Sequence, residues 1–228
     1  MRITLPDPVP ITARAVVVRL HFAVVLALVA GMPAAGAAQD ADKPPRQLAT
    51  AGLAGQSVAL LPITLALADS TVRHDSTVTS LGDRTHVLHW ADSIIGEGFL
   101  GNAPEVTWVL PPRLRQLARR NPGMIPEPDQ MGQAILRSPK IGKIPDPLQS
   151  SLRSLVNVTG GRYAMVPAAL ALSRDSTGSL RADLALALAD ARAGTVVWRS
   201  NGVGRGGTPS EAVAAAVTSV LPSSALGP

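Results

Sequence analysis

The chain contains no cysteine, and only 3% of its 228 residues are aromatic. Without thiols it can form no disulfide, no thiolate metal site and no cysteine nucleophile, and it lacks the residue that a bacterial lipoprotein acylates. Stability must come from packing, and the packing material is Ala, Leu and Val. Each fully buried Val or Leu contributes ~1.5–3 kcal/mol, so the core is a sum of many modest burials. Gly-x-Ser-x-Gly and Ser-x-x-Lys are also missing after residue 38. With no thiol and neither serine signature, a hydrolase with an unrecognised site ranks third among the functional readings.

One apolar run stands near the beginning. Arg14 and Arg19 precede Phe22 to Val29, then Gly31 and Pro33, then Ala34 to Ala38. That order predicts a cleaved secretory signal over residues 1–38, with a small-x-small site before Gln39. Phe22 to Ala38 is 17 residues, short of the ~20 that a spanning helix needs, so no transmembrane span is expected after cleavage. A start near Val18 would make the charged region more compact than one containing Pro6, Asp7, Pro8 and Pro10. The predicted location is periplasmic or secreted. The leader holds three of the 21 basic residues and one of the 16 acidic ones, leaving 18 against 15. A net charge of about +3 gives no reason to expect a nucleic-acid partner.

Residues 39–56 are polar and Gly/Ala-rich and predict a flexible tether; 223–228 predict a disordered tail. Between them, residues 57–222 suit one domain. Val58 to Ile63 reads as a strand buried on both faces, Thr85 to Leu100 as a helix capped by Asp83 or Thr85 and ended by Gly101-Asn102, Val106 to Leu110 as a strand, and Pro111-Pro112 as the start of a helix. Residues 121–147 form a Pro-rich insertion, functional or mobile, with one short helix over 129–137. Residues 148–156 predict a helix, and 163–172 a strand that Pro167 confines to an edge or a bulge. Leu180 to Ala189 alternates as a half-buried strand, turning into Thr195 to Arg199 as a hairpin. Thr208-Pro209-Ser210-Glu211 is a capping box opening a last helix. The predicted fold is α/β: a single two- or three-layer domain with a mixed sheet, a parallel βαβ start, an antiparallel C-terminal hairpin and a C-terminal helix.

This order, carried by Val58 to Ile63, Gly160 to Val166, Asp190 to Trp198 and Glu211 to Leu221, resembles the α/β envelope domain shared by the amino-terminal region of TolB, CsgG and LpoB. The resemblance implies a non-enzymatic envelope protein that works through partners. Unlike the lipoproteins of that group, this chain has no cysteine to acylate.

Three constellations are candidates for chemistry. Gly202 to Gly207 matches G-x-G-x-x-G ahead of a helix, the pattern that cradles phosphates, but no acidic residue lies ~20 positions on, and a flexible connection explains it. His74, His86 and His89 lie near Asp75, Asp83 and Asp92, yet their spacing is not that of a zinc helix, so no metal or cofactor is expected. Asp92 and Glu97 show no partner that would support carboxylate chemistry. The strongest signal is basic. On the second helix Leu114, Leu117 and Ala118 form one face, and Arg113, Arg115, Arg119, Arg120 and Gln116 the other. With Arg137, Lys140 and Lys143, residues 113–143 carry seven positive charges against Glu127 and Asp129. The expected function is binding or supporting another envelope component, whether protein, wall or lipid headgroup, through these residues. The alternative is a small-molecule or glycan-binding module using a cleft beside residues 202–207.

Overall fold

Val58, Ala59 and Leu60 are wholly buried, because the strand they form is covered on both faces. The computed structural model describes residues 45–222; the expected leader, the start of the expected tether and the expected tail lie outside the described residues. The elements in order are β1 (Ser57–Leu60), β2 (Ala66–Ala68), α1 (Ser76–Thr79), α2 (Arg84–Asn102), β3 (Thr107–Val109), α3 (Pro111–Arg120), α4 (Leu148–Thr159), β4 (Tyr163–Arg174), β5 (Leu180–Asp190), β6 (Thr195–Gly206) and α5 (Pro209–Val220). The strands make one mixed sheet in the order β3-β1-β4-β5-β6, with β2 also paired to β4. β1 runs parallel to β3 and β4, while β4, β5 and β6 are successively antiparallel.

Strand alternation distributes the core. Val58 and Leu60 meet Ala91, Ile95 and Phe99 of α2 and Ala212, Val213, Ala216 and Val217 of α5. Ala59 and Leu61 meet Leu114 and Ala118 of α3, Leu152, Leu155 and Val156 of α4, and Leu136 and Ile144 of the insertion. The result is an α/β protein of three layers, with the mixed sheet and C-terminal helix that the sequence predicts.

Helix ends follow local chemistry. Asp83 accepts the His86 N–H at 3.0 Å to cap α2, which runs on through Gly101 and Asn102 to a C-cap at Ala103. Gly160, in the left-handed region at φ 72°, ends α4. At α5 the capping box is complete, with Thr208 Oγ1 accepting the Glu211 N–H at 3.2 Å and Glu211 Oε2 accepting the Thr208 N–H at 3.3 Å.

Several expectations need correction. Residues 45–56 are no loose tether as far as they are described. Leu48 and Leu53 are buried in the α2/α5 core, the Leu48 N–H donates to the Val220 carbonyl at 2.8 Å, and the Trp198 indole N–H donates to the Gln47 carbonyl at 3.1 Å. Two leucines suffice to anchor that Gly/Ala-rich stretch. β2 falls where no strand is expected; it continues the line of β1 along β4 after a break at Pro62, opposite the register shift between Pro167 and Ala169. Of the two positions expected for Pro167, the bulge is the one found, since β4 is paired on both sides and its register with β5 shifts between Pro167 and Ala169. β5 is buried on both faces in its second half, because Ala187 and Ala189 pack under the insertion and α4. In place of a helix over 129–137 there are two short 3-10 turns, Pro128–Gln130 and Gln133–Arg137, separated by Gly132 at φ 74°.

Two aspartates fix loops to the sheet. Asp75 accepts both the N–H and the hydroxyl of Thr77 and pairs with Arg174 of β4, which together hold its carboxyl down to about 2. Asp190 is buried, which pushes its carboxyl up, but Arg162 and the N–H groups of Ala193 and Arg192 outweigh burial and hold it below the usual range. Both native values lie below the unfolded one, so the stability these groups contribute is present above about pH 4 and lost as pH falls through the native values. An acid titration followed by urea unfolding should show stability declining below about pH 4, with a shallower decline in Asp75→Asn.

Candidate interaction site

α3 begins at Pro111-Pro112, whose fixed φ suits a first turn and whose missing N–H groups need no partner there. Leu114 and Ala118 are buried against the sheet, and this orients the rest of the helix. Arg113, Arg119 and Arg120 are exposed. Arg119 and Arg120 also occupy the last turn, where positive charge complements the helix dipole.

Arg115 is different, and the assignment of all four arginines to one outer face needs correction. Its side chain is only 12% exposed. Its Nε and one Nη bond both oxygens of Asp129 at 2.8 and 2.7 Å, and that Nη also donates to Asp92 Oδ2 at 2.6 Å. Asp92, 4% exposed, accepts the Ile63 N–H at 2.7 Å on its other oxygen. The cluster ties α2, α3, the insertion and the end of the β1 segment together. Burial pushes the Asp92 carboxyl above its usual range despite the Ile63 N–H and Arg115, whereas hydrogen bonding to Asp129 strengthens the hold of Arg115 on its proton. Asp92 therefore has partners that its sequence spacing did not show. They lie 29 and 23 residues away, beyond any local pattern.

The insertion is pinned. Arg199 of β6 donates to the carbonyls of Leu136, Pro139 and Ile141, and the buried Gln133 donates to those of Pro62 and Pro128. Arg137, Lys140 and Lys143 are exposed on it. The insertion touches α3 through Pro128–Gln130, packs on β4 and β5 through Gln133–Arg137, and at Lys143 bridges to Thr195 of β6. From β1 to β6 is three strand spacings, about 14 Å. Among the described residues no ion pair joins Arg113, Arg119, Arg120, Arg137, Lys140 or Lys143 to a carboxylate.

Two clefts flank the turn from β3 into α3. One of about 480 Å³ is lined by Val109, Leu110, Arg113, Leu117 and Val158 among others. The second, about 500 Å³, lies between α2 and α3 and includes His89, Ser93, Glu97, Leu100 and Arg119. The Ser93 hydroxyl donates to the His89 carbonyl and not to its ring, so these side chains form no nucleophile-base pair.

The glycine run is no phosphate loop. Gly202, Gly204 and Gly206 lie within β6 and face α5. A Cβ on Gly202 or Gly204 would fall inside van der Waals contact of the α5 backbone at Ala216 and Ala212. The glycines let the helix lie on the strand, and the cleft supposed beside them is filled by α5 itself. Of the histidines, His86 turns its Nδ1 to the cap carboxylate of Asp83 at 3.1 Å. Among the described residues no three His, Asp or Glu side chains are grouped to hold a metal ion. Trp108 and Trp198 are buried, Trp108 against Phe99 at 4.7 Å between ring centroids, and Trp90 is half-buried.

No family model and no curated protein matches the chain. Solved structures similar to it include a PelC dodecamer from Paraburkholderia phytofirmans, 13% identical over 79% of this chain and 96% of that one at a TM-score of 0.34. The LpoB C-terminal domain from Salmonella enterica is 14% identical over 67% and 84% at 0.33. LpoB of Escherichia coli is 14% identical over 69% and 62% at 0.36. At these TM-scores the likeness assigns this chain neither a family nor a function. Among the described residues no helix is long and apolar enough to cross a membrane.

Proposed function

We propose that the chain is a non-enzymatic, exported envelope protein that binds an acidic surface of another envelope component through the outer face of α3, with the insertion as a second basic site. The observation that carries this reading is that, among the described residues, Arg113, Arg119 and Arg120 stand exposed together on one helix and form no ion pair with a carboxylate, whereas Arg115 of the same helix is turned inward and paired. Unpaired charge of one sign raises encounter rates with an oppositely charged partner and makes binding salt-dependent. The leader predicted over residues 1–38 supplies the compartment in this reading.

Reversing Arg113 and Arg119 to glutamate should weaken co-sedimentation with envelope fractions at least about tenfold, more at low salt than at high, with little change in melting temperature, because both side chains are exposed and a glutamate gained in the first turn offsets one placed in the last. Equal co-sedimentation of the double variant and the wild type would sink the proposal. Arg115 is unsuitable for this test, since its replacement probes the fold.

A further inference from the structure

Among the described residues β3 is the first strand of the sheet and has β1 on one side only. In parallel pairing, alternate residues turn their N–H and C=O to the same neighbour. The Thr107 N–H donates to the Gln56 carbonyl at 3.0 Å, and the register sets Thr107 opposite Ser57 and Val109 opposite Ala59. Thr107 and Val109 therefore pair with β1, and the N–H and C=O of Trp108 point to the open side. The Trp108 side chain is committed elsewhere: it is buried against Phe99, with its indole N–H on the Ala103 carbonyl at 2.9 Å.

The two clefts lie on either side of this edge and share Leu110 and Pro112. Each contains an exposed aliphatic side chain, Val158 at the end of α4 in the first and Leu100 near the end of α2 in the second, both 46% exposed. A chain laid along β3 would turn successive side chains to opposite faces, one toward each cleft. Charge chooses the occupant. Arg113 rims the first cleft and Arg119 the second, and the carboxylates there are Glu97 and Asp92, the latter engaged by Arg115.

We infer that the outer edge of β3 accepts an extended segment of a partner protein in which two consecutive apolar residues, one for each cleft, are flanked by acidic ones. Main-chain bonds to Trp108 set its register, the clefts take its apolar side chains, and Arg113 and Arg119 meet its carboxylates. The inference rests on the partner-binding reading above and names the partner's chemistry.

Random decapeptides displayed on phage and selected against the full chain provide the probe. Enriched sequences should carry an apolar pair flanked by acidic residues, and a synthetic peptide of the enriched sequence should slow exchange of the Trp108 amide by about tenfold or more. Leu100→Glu and Val158→Glu, both at exposed positions, should each weaken that peptide at least about tenfold. A peptide that binds without slowing Trp108 exchange would overturn strand addition while leaving the basic-face proposal standing, provided Arg113→Glu with Arg119→Glu abolishes its binding. Protection of Trp108 that grows with protein concentration and needs no peptide would assign the edge to a second copy and also overturn the inference. Failure to enrich any peptide, with binding only to phosphatidylglycerol vesicles, would do the same.

Discussion

A chain carrying Gly204→Ala should lose about 3 kcal/mol of its stability to urea, through one added methyl group. The new Cβ would fall within contact of the Ala212 carbonyl oxygen, the Ala216 amide nitrogen and the Ala215 carbonyl carbon. These are backbone atoms of α5, so no rotamer change relieves the clash and the helix must move off β6. Overpacking a core costs ~1–3 kcal/mol and occasionally more; an obstacle of backbone puts this case at the upper end. α5 also contributes Val213, Val217 and Val220 to the core around α2, so its displacement opens that layer. Gly207→Ala is the control. Its Cβ would meet only the far end of the Glu211 side chain, at 3.4 Å, and the midpoint should move by no more than about 0.5 kcal/mol equivalent. A phosphate loop would predict the reverse sensitivity, with both glycines affecting ligand binding and neither the fold. Equal urea midpoints for Gly204→Ala and wild type would refute the packing account.

The second large effect is at Arg115. Arg115→Met keeps much of the stem that packs between α2 and α3 but removes the cation that faces Asp92 and Asp129. Asp92 would be left buried with the Ile63 N–H as its remaining bond. Removing one partner of a buried pair costs about 3–5 kcal/mol, because the other charge stays desolvated. The sign with pH is distinctive. Burial already sets the Asp92 carboxyl above its usual range, and loss of Arg115 pushes it further. A carboxyl raised in the native state favours folding at low pH, where it is neutral, and penalises folding as pH rises through its native value. The deficit of Arg115→Met relative to wild type should therefore shrink as pH is lowered toward about 4. A deficit constant from pH 4 to 8 would show that Asp92 is not the source of the loss.

Much of the scaffold was legible because its signals are local. Proline at 111 and 112, Asp83 ahead of α2, the capping box at Thr208 and Glu211, and the leucine alternation of β5 each encode an element within a few residues. What was not legible depends on tertiary partners. β6 looked five residues long, because after Arg199 its inward positions are Ser200, Gly202, Gly204 and Gly206, none of which carries an apolar side chain. Their two-residue spacing is a strand pattern once α5 is known to lie on it. Ala187 and Ala189 appeared to be solvent-facing because alanine is neutral between surface and core, and only the insertion lying over them buries them. At the candidate site the basic stretch was visible in the sequence. The sorting of its arginines into one buried tie and three exposed charges was not, since Asp129 is 14 residues from Arg115 and Asp92 is 23.

The placement of the tryptophans gives the molecule its own optical labels. Trp108 belongs to β3 and Trp198 to β6, the two outermost members of the strand order, and the remaining indole, Trp90, donates to Ser210 across the α2/α5 layer. Variants retaining one indole at a time would report emission from one border of the sheet or the other. A ligand arriving at either border could then be located by fluorescence alone, without any attached dye.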